Sequence, residues 1–138
     1  MSKYILTFSL FAILLPAGCA SKSPLDTGKV IKTAPIGSLT VTLSNPAGQI
    51  KHGSDEFFVS FKDSSGKLVD VGAASVNFHM AQMGSMAAMN NAATLTMTDT
   101  PGICRARANV DMAGEWQVQV SIEGPAGKGQ TSFPVNAQ

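Results

Sequence analysis

Apolar residues recur at every second position through most of this chain, and this alternation is the feature that most constrains its fold. Successive side chains of a strand lie on opposite faces of a sheet, so a period of two predicts strands with one buried face. A helix would require apolar residues three or four positions apart. Seven segments show the alternation: Leu39–Leu43, Phe57–Phe61, Ala74–Met80, Leu95–Met97, Cys104–Val110, Trp116–Ile122 and Thr131–Val135.

Turn-forming sequences separate these segments, including SNPAG, KDSSGK, TDTPG, DMAGE and GPAGKG. Seven short strands within roughly a hundred residues, each with one apolar face, predict two sheets packed face to face. We therefore expect an all-β, seven-stranded β-sandwich of immunoglobulin-like, Greek-key type. A small β-barrel has the same pattern and is the alternative.

The first eighteen residues have the layout of a secretory signal peptide. Lys3 precedes an apolar run that ends in small residues, and this run is too short to span a bilayer stably. The following LLPAGC resembles the bacterial lipobox, in which the cysteine after the cleavage site carries lipid. We expect lipidation of Cys19; an ordinary secreted protein without lipid is the alternative.

The chain is thus expected to have three parts. Residues 1–18 form the signal peptide. Residues 19–36 contain the lipidated cysteine and a flexible tether rich in Ser, Pro, Gly and Lys. Residues 37–138 form the sandwich domain. The expected location is the bacterial cell envelope, as a periplasm-facing lipoprotein. Ala20 and Ser21 follow Cys19 where an aspartate would resemble an inner-membrane retention signal, which favours the outer membrane over the inner.

The charge balance and the motifs exclude several classes of function. Removal of residues 1–18 takes away Lys3 and leaves nine basic and nine acidic residues, so no electrostatic footprint indicates a nucleic-acid partner or an anionic membrane surface. The sequence lacks G-x-S-x-G, H-E-x-x-H, C-x-x-C and glycine-rich phosphate motifs. Its two histidines cannot supply a zinc site with three histidine ligands. The chain is therefore not expected to be an enzyme.

Three single residues have both a structural and a functional interpretation. Cys104 is left without a disulfide partner if Cys19 is acylated; it alternates with arginines, as a small buried residue would, and a soft-metal ligand is the alternative. Trp116 is expected to anchor the core, with a cation-π contact as the alternative. His52 is expected to be a solvated loop residue, with metal ligation as the alternative.

The segment HMAQMGSMAAM, residues 79–89, contains four of the seven methionines at a spacing of three. Met80 continues the inward-facing set of its strand, whereas His79 faces the other way. The spacing would align the next three methionines on a short helical or 3₁₀ turn, although Gly84 disfavours a long helix. We expect a compact loop at one end of the sandwich.

Two main accounts of this loop compete. Methionine is a flexible apolar filler that can plug the end of a core. Alternatively, the thioethers converge on a soft ion, Cu(I) or Ag(I). Sulfur ligands select such ions over hard cations, and a thioether binds them without losing a proton. The expected ligands are Met80, Met83, Met86 and Met89, with His79 as an auxiliary ligand and Met112 as a further candidate. The exposed methionines are also compatible with a non-metal scaffold whose loop docks a protein partner, and with oxidant scavenging.

The pieces SGKLV, the methionine motif, MAGEW and the following glycine-rich turn together resemble the YtkA-like domain, a small immunoglobulin-like module of bacterial envelope proteins related to FixH-type proteins. Met80, Met83 and Gly84 match the methionine pair and glycine typical of that family, while Ala81 stands where proline is usual. The resemblance implies a link to envelope metal handling. The expected partners are an envelope metal-efflux or metal-assembly protein and the membrane, reached through the lipid anchor.

Overall fold

The computed structural model describes residues 25–138, so the predicted signal peptide and Cys19 lie outside the described residues. Within the described part the chain forms strands and no helix, and hence no helix that could cross a bilayer. The strands are β1 (Lys29–Ile36), β2 (Leu39–Asn45), β3 (Gly53–Lys62), β4 (Ala73–Met80), β5 (Met89–Ala92), β6 (Thr94–Met97), β7 (Ile103–Val110), β8 (Gly114–Gly124) and β9 (Gly127–Ala137).

These strands form two antiparallel sheets that enclose one core. The five-stranded sheet has the order β1-β2-β3-β7-β6 and the four-stranded sheet the order β5-β4-β8-β9. Phe57 of β3 and Phe78 of β4 meet between the sheets, edge to face, with ring centroids 5.8 Å apart. The alternating apolar residues therefore do face a shared interior, and the prediction of an all-β sandwich is confirmed.

The number of strands differs from the expectation, because residues 25–138 contain nine rather than seven. The predicted tether is wrong for Lys29–Ile36, which form β1 and pair with β2. Only Ala34 and Ile36 of β1 are buried. An edge strand buries few side chains and tolerates lysine and proline, so its composition is close to that of a linker.

The second unexpected strand is β5, which has only four residues. It pairs with β4, and the chain then changes sheets at Ala93, whose N–H donates to the carbonyl oxygen of Val76 at 2.8 Å. In β6, which joins the other sheet, Leu95 is half-buried, but Met97 is 70 % exposed. The expectation that Met97 faces the core is wrong, because β6 is a short edge strand.

The sandwich has two ends with different contents. One end, here called the hairpin end because the β4–β5 connection lies there, carries the end of β4 at Met80, the end of β7 at Val110 and the start of β8 at Gly114. At this end Asn91 Nδ2 donates to Asp111 Oδ2 at 3.0 Å, which ties β5 to the turn before β8. The far end carries the β6–β7 turn and the start of β4 at Ala73.

Candidate metal site in the methionine hairpin

The methionine segment is a β-hairpin whose inner and outer residue pairs keep the same register, with residues 81–82 and 87–88 between them outside the strands. Met80 of β4 lies opposite Met89 of β5, and three further residue pairs follow toward the strand bodies. Beyond β4 and β5, Met83 and Met86 again lie directly opposite each other. The N–H of Met83 donates to the carbonyl oxygen of Met86 at 3.2 Å, and the N–H of Met86 donates to that of Met83 at 2.9 Å.

The short helical turn predicted from the spacing of three is therefore wrong. Gly84 and Ser85 form a two-residue turn, and Gly84 has a φ of 56°. Two-residue hairpin turns of this kind favour glycine at the first central position, where φ is positive. The signal that could have revealed the hairpin is the Gly-Ser pair, with methionines spaced symmetrically on both sides of it.

The register assembles the four methionines as two pairs rather than as one cluster. Residues directly opposite each other in an antiparallel pair project to the same face, so Met80 lies with Met89, and Met83 with Met86. The two pairs are three positions apart, an odd number, so strand alternation continued through residues 81–82 would place them on opposite faces of the hairpin. The burial agrees, because Met80 is 4 % exposed whereas Met83 and Met86 are 55 % and 44 % exposed.

The inner pair closes the hairpin end of the core. Met80 is buried, and Met89 and Met112 pack against the core while remaining half-buried. A Cβ added to Gly114 would lie 3.5 Å from the Met80 methyl carbon, so Met80 reaches the start of β8. Flexible thioether side chains fill the space where the two sheets end. Met80, Met89 and Met112 therefore have the surroundings expected of a plug that closes the core.

The outer pair stands on an exposed and uncharged tip. All residues from 81 to 88 are exposed, and none carries a charge. Opposed residues that exchange both backbone hydrogen bonds have Cα atoms about 5.5 Å apart, so two flexible thioethers can meet at one point. Residues 25–138 contain no group of three His, Cys, Asp or Glu side chains suited to a metal ion. The soft donors of this tip are thus the sulfur atoms of Met83 and Met86.

His79 shares the outer face of the hairpin with Met83 but lies four residues away, which is about 13 Å along a strand. Its Nδ1 is 2.8 Å from Asn90 Oδ1. Asn90 Oδ1 also accepts a hydrogen bond from Asn77 Nδ2, at 3.4 Å. His79 is thus held within a row of amide side chains.

The remaining residues with a predicted chemistry occupy structural positions. Trp116 is fully buried, as expected for a core anchor, and its Nε1–H donates to the carbonyl oxygen of Met112 at 3.0 Å. Cys104 is half-buried; burial, and secondarily the negative charge of Asp70, raise the pKa of its thiol. His52 is exposed, with Nδ1 2.9 Å from the carbonyl oxygen of Gln138.

The YtkA-like family model matches residues 33–121, which include the first seven strands from the middle of β1 onward and most of β8. The match contains the whole methionine hairpin and the turn that carries Met112. No curated protein and no solved structure matches the chain. Since the family model covers more than half of the sequence, the chain belongs to the YtkA-like family.

Proposed function

We propose that this protein binds a soft monovalent metal ion, Cu(I) or Ag(I), at the exposed pair Met83 and Met86, and holds it for delivery or efflux. The observation that supports this most strongly is the register of the hairpin, which sets two exposed thioethers directly opposite each other. Thioether sulfur selects soft ions and binds them without deprotonation, so the site would function in mild acid.

An ion held by two thioethers from one chain keeps room for further ligands. That arrangement suits transfer, because a partner protein that contributes its own soft donors can take over the ion. A wider ligand set that also includes Met80, Met89 and Met112 would require the two faces of the hairpin to reach one point, and inclusion of His79 would require the tip to bend back by four residues. We therefore assign Met83 and Met86 as the primary ligands and Met80, Met89 and Met112 as the plug of the core.

Titration of the purified protein with Cu(I) under reducing conditions tests this proposal. A Met83→Leu, Met86→Leu double variant removes both sulfur atoms and nearly conserves volume. The matched control is Met80→Leu, Met89→Leu, which makes the same change in the inner pair. We expect the outer variant to bind Cu(I) at least about tenfold more weakly than wild type, and the inner variant to retain binding. Equal uptake by all three proteins, or uptake by none, would contradict the proposal.

The same exposed tip supports a second candidate function, a scaffold that docks a protein partner without metal. The observation in its favour is that residues 81–88 are uncharged and exposed and include two flexible methionines, a composition typical of adaptable binding surfaces. Leucine substitution separates the two functions. A docking surface would retain partner binding in the Met83→Leu, Met86→Leu variant, whereas a metal site would lose its ion.

We further propose a binding rather than a catalytic role, which the lack of known catalytic motifs in the sequence supports. We also propose a lipid anchor at Cys19 that attaches the protein to the outer membrane on its periplasmic side. The signal-peptide and lipobox pattern of the sequence supports this anchor. Intact mass of the chain from the membrane fraction should show added lipid on a chain that begins at Cys19. Separation of inner and outer membranes by density would then locate it; an unmodified soluble chain would contradict the anchor.

The proposed topology is that of an immunoglobulin-like Greek key with an added edge strand and an added hairpin strand. The two-sheet sandwich and the family membership support it. A strand-by-strand comparison of the two sheets with those of immunoglobulin domains would test it.

A further inference from the structure

The segment Leu25–Gly28, which precedes β1, runs from the β6–β7 turn to the end of β2 in the five-stranded sheet. At one end of this strap Leu25 borders a cavity of about 270 Å³ together with the β6–β7 turn at Thr98 and Thr100 and the side chain of Arg105. At the other end Gly28 lies against the backbone of Asn45, where an added Cβ would come within 2.5 Å of the carbonyl carbon. Only glycine fits this approach, which fixes the second end of the strap beside the end of β2.

The residues beneath the strap support this path. Ser44, Phe58, Arg105 and Thr96 lie side by side across the sheet, on four adjacent strands. Ser44 is 1 % exposed even though it alternates with the inward-facing Leu43, as expected if the strap covers it. Two strand spacings from Arg105 to Ser44 amount to about 10 Å, which three residues of extended chain can span.

The strap therefore starts near the far end of the sandwich, away from the methionine hairpin. From the row that contains Arg105, β7 continues five residues to Val110 at the hairpin end. Met80 lies at the same end, and the tip at Met83 lies three residues beyond it. At about 3.3 Å per residue, Leu25 and the tip are separated by roughly 25 to 30 Å along the strands. Six peptide steps from Cys19 to Leu25 span at most about 21 Å.

We propose that the strap sets the direction in which the domain is presented: the far end faces the membrane, and the methionine hairpin points away from it. The partner of the hairpin is then a protein that approaches from the aqueous side, such as a soluble domain or one that extends from another membrane, rather than a protein lying at the surface of the same bilayer. This inference depends on the proposed lipid anchor at Cys19, but not on metal binding at Met83 and Met86.

Energy transfer to the membrane surface tests this orientation. The full-length chain, produced with its own signal, carries Cys104→Ser and one new cysteine. Ser85→Cys marks the hairpin turn, and Ser64→Cys marks the exposed turn after β3 at the far end. The fluorophore-labelled proteins are reconstituted, without added metal, into phospholipid vesicles that contain a headgroup-labelled acceptor lipid.

We expect a transfer efficiency at least about twofold higher from residue 64 than from residue 85, because the two turns lie at opposite ends of strands that are about 25 Å long or longer. Equal efficiencies, or a higher efficiency from residue 85, would overturn the proposed orientation, and so would a chain that does not associate with membranes. Since no metal is present, failure of Cu(I) binding would leave this result unchanged. The two proposals can therefore fail separately.

Discussion

The indole Nε1–H of Trp116 donates a hydrogen bond to the carbonyl oxygen of Met112, two residues before β8 begins. This bond joins the largest fully buried side chain to the turn that covers the hairpin end of the core. The turn is also held by Asp111, whose two carboxylate oxygens accept from Asn91 Nδ2 and Asn109 Nδ2 at 3.0 and 2.7 Å. The end of the sandwich beside the methionines is therefore fixed by hydrogen bonds as well as by apolar packing.

Trp116→Phe should lower the free energy of unfolding by about 2 to 3 kcal/mol, because the smaller side chain leaves a cavity and lacks the N–H that donates to the Met112 carbonyl oxygen. Urea denaturation followed by circular dichroism measures this, since the variant lacks the single tryptophan. A change below about 0.5 kcal/mol would show that the indole does not anchor this end.

The inner and outer methionines should differ sharply in their contribution to stability. Met80→Ala should lower the free energy of unfolding by about 2 to 4 kcal/mol because the side chain is buried, whereas Met83→Ala should change it by less than about 0.5 kcal/mol. Thermal or urea denaturation of both variants checks the contrast. Similar losses in the two variants would mean that the tip packs into the core and is not free to bind an ion.

Gly84→Ala should disturb the hairpin tip, since a residue with a Cβ rarely adopts the φ of 56° found at Gly84; the expected local cost is about 1 kcal/mol. The measurement is amide hydrogen exchange at Met83 and Met86, whose N–H groups pair across the turn. Both amides should lose protection. Ser85→Ala is the matched control and should leave their exchange nearly unchanged, because Ser85 has a negative φ.

The Cys104 thiol should react slowly with a thiol reagent at about pH 8, because burial raises its pKa and only the thiolate attacks. In the folded protein the reaction should be at least about tenfold slower than in denaturant. The raised pKa also means that the contribution of Cys104 to stability is fully present below the pKa of an unfolded cysteine, about 8.5. That contribution is lost as the pH rises through the folded value. Cys104→Ser should remove this alkaline dependence.

Asp63 should show the opposite dependence at acid pH. Its Oδ1 accepts from the Ser65 hydroxyl at 2.6 Å and from the backbone N–H of Lys67 at 3.0 Å, and these hydrogen bonds lower the pKa of the carboxyl group. Its contribution to stability is present above the pKa of an unfolded aspartate, about 3.9, and is lost as the pH falls through the folded value. NMR titration should place the Asp63 pKa below about 3.9, and Ser65→Ala should raise it.

The alternation of apolar residues was sufficient to predict the sandwich, because a buried sheet face imposes a period of two on every long strand. The residues expected to face inward include Val41, Val59, Val118 and Phe133, and all of these are buried. The pattern could not reveal β1 and β5. An edge strand and a four-residue hairpin strand each bury too few side chains to impose the period on their sequences.

The methionine spacing was ambiguous for a physical reason. A step of three aligns side chains on a helix but alternates them on a strand, and the spacing alone does not say which applies. What decides is the turn: Gly84 and Ser85 lie midway between Met83 and Met86, and also midway between Met80 and Met89. The sequence thus predicted the location of the methionines at one end of the sandwich. It did not predict that they form two separate pairs, Met80 with Met89 and Met83 with Met86.

The shared register of the inner and outer methionine pairs also makes the length of the hairpin more critical than its composition. Ala81, Ala87 and Ala88 are exposed, so many replacements at these positions would be accommodated. One residue inserted at the tip would not be: either Met83 and Met86 would cease to face each other, or β5 would slip by one position and turn Met89 outward. Variation among natural relatives should accordingly be found as substitutions along the two arms, with insertions and deletions arising only as compensated pairs, one on each side of Gly84 and Ser85.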